Sequence, residues 1–259
     1  MRHPLSAILI VKNEEANIAR CLQSIDFADE VVIVDTGSSD RTPDICRSMG
    51  CRVYTVEWQG FGPAKQKALA KTRHDWILSI DADEEVSPEL RREILETLES
   101  PRATAYRLCR VSRYLGRTIR FSGWQNDNPI RLFEKGSCSF NANIVHEAVI
   151  CPGTAGQLKK NLRHYPYPTI AVHMAKIDLY TTLGARTLYL AGKRATPVRA
   201  LAGGIGRFFK TYFFRLGFLD GREGLALALT AAWSVTLKYL KLWEAGRRDA
   251  STQRSNNTR

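Results

Sequence analysis

Over its first hundred residues the chain alternates short apolar runs with stretches at helical spacing, and this alternation limits the fold more than any other feature. Residues 6–11 are an Ile- and Leu-rich run of the kind found in strands buried on both faces. Residues 14–27 follow with Ile18, Leu22 and Ile25 on one helical stripe, and residues 31–34 form a second apolar run that ends at Asp35. Thr42-Pro43 predicts a capped helix start, with Gly50 as its stop. Residues 52–57 read as a third strand, 63–72 as a third helix, and 76–80 as a fourth strand running into Asp81; Ser87-Pro88 then repeats the cap-and-proline signal. Strand–helix alternation of this kind gives an α/β fold, a Rossmann-type and mostly parallel sheet with helices on both faces. After Pro101 the pattern changes to shorter strands at 106–111, 131–134 and 144–150, and from about Thr169 the chain reads as helical, ending in a polar tail at 251–259.

Charge is divided unevenly. Residues 1–150 hold 20 Lys and Arg against 21 Asp and Glu, whereas residues 151–259 hold 18 against 5. The net charge of +12 therefore belongs to the later part, a surface suited to anionic lipid, an acidic substrate or nucleic acid. The six cysteines form no Cys-x-x-Cys pair, and their spacing predicts reduced thiols. The apolar run that ends at Lys12 lacks a small-residue cleavage site, so it is expected to be a buried strand of a cytoplasmic protein.

Ligands of open α/β sheets bind outside the carboxyl ends of the strands. Two of the predicted strands deliver acids there, Asp35 and the run Asp81-Ala82-Asp83-Glu84. In an extended segment residues i and i+2 point the same way, so Asp81 and Asp83 are expected to share one site with Ala82 turned inward. Paired carboxylates suit Mg²⁺ or Mn²⁺, which also bind phosphate oxygens. Asp35 equally fits a plain turn residue in Asp35-Thr36-Gly37-Ser38-Ser39-Asp40. Gly-x-Gly-x-x-Gly and Gly-x-x-x-x-Gly-Lys-Ser/Thr are both missing, which argues against dinucleotide and P-loop folds.

Residues 7–15 (AILIVKNEE), 31–42 (VVIVDTGSSDRT), 60–69 (GFGPAKQKAL) and 75–84 (DWILSIDADE) together resemble the family 2 glycosyltransferases. Residues 129–133 (PIRLF), 145–147 (VHE), a histidine within 163–166 and residues 217–224 (GFLDGREG) extend the resemblance to bacterial lipopolysaccharide-core β-glycosyltransferases that add glucose to heptose. The resemblance implies a GT-A fold, a UDP-linked donor, a divalent cation and inversion at the anomeric carbon. It places Asn13 and Glu14 beside the uracil, Asp35 on base or ribose, Lys65 near the diphosphate, Asp81 on the ribose and Asp83 on the metal. Ala68 departs from the Asn that many members carry there. Inverting transfer also needs a base for the acceptor's proton; Glu147 is the first choice and Asp127 the second. Trp124, Arg131 and His146 are the candidate acceptor contacts, with Arg131 open either to an acceptor phosphate or to a pair with Glu134. Residues 1–100 become a nucleotide-sugar half and 101–168 an acceptor half of one catalytic domain, followed by a helical membrane-interface region at 169–250.

In that region Arg207, Lys210, Thr211 and Arg215 lie opposite Phe208, Phe209, Tyr212, Phe213 and Leu216, and a polar stripe of Thr230, Ser234, Lys238 and Lys241 faces Leu227, Trp233, Leu237, Leu240 and Trp243. The uncharged stretch between Glu223 and Lys238 is 14 residues, short of the roughly 20 that span a bilayer, so an interfacial helix is expected. The whole is consistent with a peripheral enzyme on the inner face of the cytoplasmic membrane, acting on an anionic lipid-linked saccharide. A polyprenyl-phosphate glycosyltransferase is the alternative within the class. A non-catalytic nucleic-acid-binding protein explains only the basic region, since the aromatics oppose the charges and do not interleave with them.

Overall fold

The computed structural model describes residues 2–125, 127–141 and 147–256, with 249–256 as backbone alone. The chain forms two compact units, one of residues 1–111 and 126–165, the other of residues 112–125 and 166–259.

In the first unit β1 (Leu5–Val11), β2 (Glu30–Asp35), β3 (Arg52–Thr55) and β4 (Trp76–Ser79) lie in the order β3-β2-β1-β4, and all their pairings are parallel. They alternate with α1 (Ile18–Ser24), α2 (Thr42–Ser48) and α3 (Phe61–Ala70), as the sequence pattern predicts. Period-two alternation sorts β1 between two cores: Leu5, Ala7, Leu9 and Val11 pack with α1 and α4 (Pro88–Glu99), while Ile8 packs with Ala64, Ala68 and Leu69 of α3. Both faces of the sheet are thus covered, the condition for a buried parallel sheet. The two proline-marked helix starts differ. Ser87 caps α4 by accepting from Leu90 N at 3.2 Å, but Thr42 lies inside α2 and its hydroxyl accepts from Glu14 N at 2.8 Å instead.

Beyond β4 the sheet becomes antiparallel. It continues through β8 (Ile130–Glu134), β6 (Ala105–Tyr114), β11 (Gly156–Tyr167) and β5 (Glu84–Val86), with β7 (Arg117–Thr118) against β6. β11 has no counterpart in the sequence reading because its exposed face is Lys-rich and breaks the apolar signal. A separate hairpin pairs β9 (Ser139–Phe140) with β10 (Val149–Ile150); the expected strand at 144–150 is described only from Glu147 onward. Pairing of Ser139 with Ile150 sets the flanking residues opposite each other, and Cys138 and Cys151 form a disulfide. The expectation of six reduced thiols is corrected here, because register and not sequence spacing brings these two together.

The second unit holds α5 (Ile170–Leu190), α6 (Pro197–Phe209), a π-helical turn over Lys210–Phe214, a 3₁₀ turn over Gly217–Asp220 and α7 (Gly221–Asn256), which enters the polar tail that begins at Ser251. α6 and α7 touch closely: a Cβ on Gly204 would come within 2.0 Å of Thr236 Oγ1. The polar side of α7 turns inward, where Lys241 Nζ donates to Asp178 O (2.8 Å) and Asp178 Oδ1 (2.7 Å). Leu229 (55% exposed) and Trp233 on α7, and Phe213 (47%) and Phe214 (83%) in the π-helical turn, face outward, whereas Leu227 on α7 is buried at 3%. The stretch Gly217–Arg248 contains an 18-residue window of mean hydropathy 1.2 with at most two charges, so by length and composition it can cross a membrane. The 14 uncharged residues counted in the sequence, 224–237, lie within this stretch.

Candidate active site

The carboxyl ends of β1 and β2 carry a braced loop pair. Val11 is in register with Asp35, so the residues that follow both strands meet at one edge. Asn13 adopts φ of +56°, and its Oδ1 accepts from Ser39 N at 2.8 Å. Asp35, 3% exposed, accepts from Ser38 N at 3.2 Å and from Ser38 Oγ, so its carboxylate holds the Gly37–Ser38 turn. Glu14 accepts from Asn17 Nδ2 at 2.8 Å, at the entrance to α1.

At the end of β4 the chain turns. Asp81 O accepts from Glu84 N at 2.9 Å, so Asp81-Ala82-Asp83 is a tight turn and not the extended segment assumed from sequence. Ala82 is buried as expected, at 4%. The two aspartates face different partners. Asp81 Oδ1 accepts from Lys65 Nζ at 2.9 Å, and Oδ2 accepts from Arg131. Asp83 Oδ2 lies 3.7 Å from His164 Nε2, and Tyr165 N donates to Asp83 O at 2.8 Å. Burial would raise the Asp81 carboxyl, but Arg131 and Lys65 outweigh it and hold the group well below the usual carboxylate range. Burial likewise opposes the charge on Arg131, and Asp81 and Glu84 overcome that and hold it firmly protonated.

Ion pairs run on from Asp81 in both directions. Lys65, 2% exposed on α3, also reaches Glu147 Oε1 at 2.8 Å. Arg131 donates to Glu84 Oε1 at 2.6 Å, Glu84 takes Arg110 at 3.1 Å, and Arg110 grips Asp127 at 2.7 and 2.6 Å. Three cations and four carboxylates therefore alternate from Glu147 to Asp127. Buried ions persist only when paired in this way. Five residues singled out from the sequence join this chain, namely Lys65, Asp81, Asp127, Arg131 and Glu147. Arg131 does not pair with Glu134, because three residues along a strand puts them on opposite faces. Glu84 and Arg110 escaped sequence reading; Glu84 stands directly beside the aspartate pair, and that adjacency was the available signal. Trp124 belongs to the second unit, 6.0 Å from both Tyr114 and Tyr167 by ring centroids. His146 lies outside the described residues.

Among the described residues no three His, Cys, Asp or Glu side chains gather into a metal cluster. Asp83 supplies a hard oxygen donor of the kind that would suit Mg²⁺ or Mn²⁺, with the His164 nitrogen 3.7 Å from it.

With this geometry in place, the model of the family described as "Glycosyl transferase family 2" matches residues 6–164, the stretch that contains the whole chain of ion pairs from Glu147 to Asp127. The chain belongs to glycosyl transferase family 2. The fold is accordingly GT-A-like, and the protein is a glycosyltransferase. An uncharacterized glycosyltransferase of Rickettsia bellii is 32% identical over 93% of this chain and 86% of its own length. The lipopolysaccharide core biosynthesis glycosyltransferase LpsC of Rhizobium meliloti is 29% identical over 98% of this chain and 96% of its own. Both relatives extend through the helical unit as well as the family domain. Among solved structures, glucosyl-3-phosphoglycerate synthase of Mycobacterium tuberculosis, in complex with Mn²⁺, UDP and glucosyl-3-phosphoglycerate, is 26% identical; it aligns over 43% of this glycosyltransferase and 44% of its own chain, at a TM-score of 0.37. A likeness of that extent carries no weight for individual residues.

Proposed function

We propose that this glycosyltransferase moves glucose from UDP-glucose onto an anionic, lipid-linked saccharide of the lipopolysaccharide-core kind, with inversion and with a divalent cation. The observation that carries the reading is the alternating ion-pair chain at the strand ends, which holds donor-side Asp81 and acceptor-side Glu147 on one ammonium, Lys65 Nζ. The full-length relative named for lipopolysaccharide core biosynthesis supports the acceptor class. Asn13, Glu14 and Asp35 would border the nucleoside, on the braced loops after β1 and β2. Asp83 and His164 would hold the cation, which when bound neutralises charge on the departing diphosphate. Glu147 would take the acceptor's proton, with Asp127 as the second candidate.

A thermal-shift panel tests this reading, since a ligand that binds only the folded state stabilises it by mass action. UDP-glucose with Mn²⁺ is expected to raise the unfolding temperature more than UDP-glucose with EDTA, and more than GDP-mannose with Mn²⁺. Equal shifts for all three would overturn both the donor and the cation.

The same reading places the enzyme at the cytoplasmic face of a membrane. The outward apolar side of the helical unit and the excess of 18 Lys and Arg over 5 acids in residues 151–259 support it. Co-sedimentation with liposomes should show a salt-sensitive part, weakened by screening, and a salt-resistant part due to insertion. Phe213→Ser together with Phe214→Ser is expected to remove most of the salt-resistant part. Retention of the wild-type protein in the supernatant with anionic vesicles at low salt would overturn the membrane assignment.

A further inference from the structure

The sequence run Gly217–Gly224 has no part in the ion-pair chain, yet it builds a second feature, wholly inside the helical unit. Asp220, 2% exposed, accepts from Arg120 N (2.9 Å), Phe121 N (3.0 Å) and Ser122 Oγ (2.8 Å). A Cβ on Gly217 would meet Thr211 O at 2.7 Å, and one on Gly224 would meet Gly217 O at 1.9 Å, so both positions need glycine for the close approach. Ser122 N also donates to Arg215 O at 2.9 Å. The run thus clamps the loop that carries Trp124 against the π-helical turn Lys210–Phe214. π-helical turns cost regular hydrogen bonding and gather at functional sites.

Between the clamped loop, the π turn and α5 and α7 lies a cavity of about 170 Å³. That is room for about six waters at ~30 Å³ each and slightly more than the roughly 150 Å³ that admits benzene, so one six-membered ring fits. Its wall includes Trp124 and Tyr167, the latter stacked on His173 at 3.9 Å and 17°. Burial and, after it, Lys176 lower the His173 imidazole to about 4, so it is neutral at neutral pH. Thr211, Thr230 and Ser234 add hydroxyls, and Arg207 adds a positive charge. Among the described residues neither the Arg207 guanidinium nor the Thr211 and Ser234 hydroxyls have a hydrogen-bond partner, and no carboxylate lines the cavity.

Each part of this lining excludes a class of ligand. A purely apolar occupant would displace water from the hydroxyls without pairing them, which costs free energy. A neutral sugar would use the aromatic faces and hydroxyls but leave the arginine idle. A bare anion would use the arginine and leave the aromatic wall unused. We propose that the cavity binds a monosaccharide carrying an anionic group, its ring against Trp124 and Tyr167 and its anion on Arg207, as one residue of the acceptor. This rests on the acceptor class proposed above; it adds a specific subsite, in a unit that holds none of the ion-pair chain.

Isothermal titration of the full-length protein with glucose 6-phosphate, glucuronate, glucose and glycerol 3-phosphate tests it, with UDP-glucose and Mn²⁺ titrated in parallel. Glucose 6-phosphate is expected to bind saturably and glucose about tenfold more weakly or not at all. Arg207→Gln should weaken glucose 6-phosphate about tenfold, Arg207→Lys less, and both should leave UDP-glucose binding unchanged. Glucuronate binding as well as glucose 6-phosphate would support the site and make its anion preference general. Glycerol 3-phosphate binding equally well would overturn the role of the ring. Unchanged affinity in Arg207→Gln, or no saturable binding by about 10 mM glucose 6-phosphate, would overturn the site itself. Nucleotide-sugar binding without sugar-phosphate binding removes only the cavity proposal. Sugar-phosphate binding without nucleotide-sugar binding removes only the donor reading.

Discussion

Asp83→Asn is expected to lower sugar transfer by about 10³-fold or more while leaving the unfolding temperature of the free protein close to that of wild type. The asparagine keeps the size of the side chain and its place in the turn after β4, so the hydrogen bond from Tyr165 N to the residue 83 carbonyl persists. What is lost is the anionic oxygen facing His164, and with it the charge that a divalent cation needs. UDP release with and without Mn²⁺, read beside a melting curve, separates the two effects. Asp81→Asn should behave differently, because Asp81 is gripped by Lys65 and Arg131. Removing its charge leaves buried cations underpaired, so that variant should lose stability as well as activity. Wild-type turnover that persists in excess EDTA would overturn the cation assignment.

Glu147→Gln is expected to cut turnover by roughly 10²-fold with nearly unchanged affinity for the nucleotide sugar. Glutamine can still accept a hydrogen bond from Lys65 Nζ through its amide oxygen, so the loop stays attached to α3 and the loss reports on the proton acceptor. Asp127→Asn is the companion measurement. Asp127 sits in a two-pronged pair with Arg110 at the far end of the same ion-pair chain. If Asp127→Asn produces the loss in turnover and Glu147→Gln does not, the role of base passes to Asp127.

The parallel half of the fold was legible because its strands are buried on both sides and therefore read as unbroken apolar runs. The antiparallel half was not. β11 interleaves Lys159, Lys160 and Arg163 with buried Leu158 and Leu162, so a twelve-residue strand looked like polar loop. In the candidate site, the positions of Asp35, Asp81 and Asp83 at strand ends were legible, a property of position in the chain. Arg110 and the partnership of Lys65 with Glu147 could not, since they depend on which strands become neighbours. The helical faces were readable as faces, but not as inside or outside. The stripe of Thr230, Ser234 and Lys241 turned toward its own unit, and the Phe213–Phe214 side toward the surroundings.

The Cys138–Cys151 bond closes a ring that includes Glu147, and this ties the loop's conformational freedom to the redox state of its surroundings. Joining residues 13 apart withdraws entropy from the unfolded chain, worth roughly 3 kcal/mol for a loop of this length. A glutathione-rich interior keeps such a pair as thiols, whereas aerated buffer oxidises it. Protein purified in air and protein kept under reductant would then differ in how tightly the segment bearing Glu147 is tethered, with no change in amino-acid sequence.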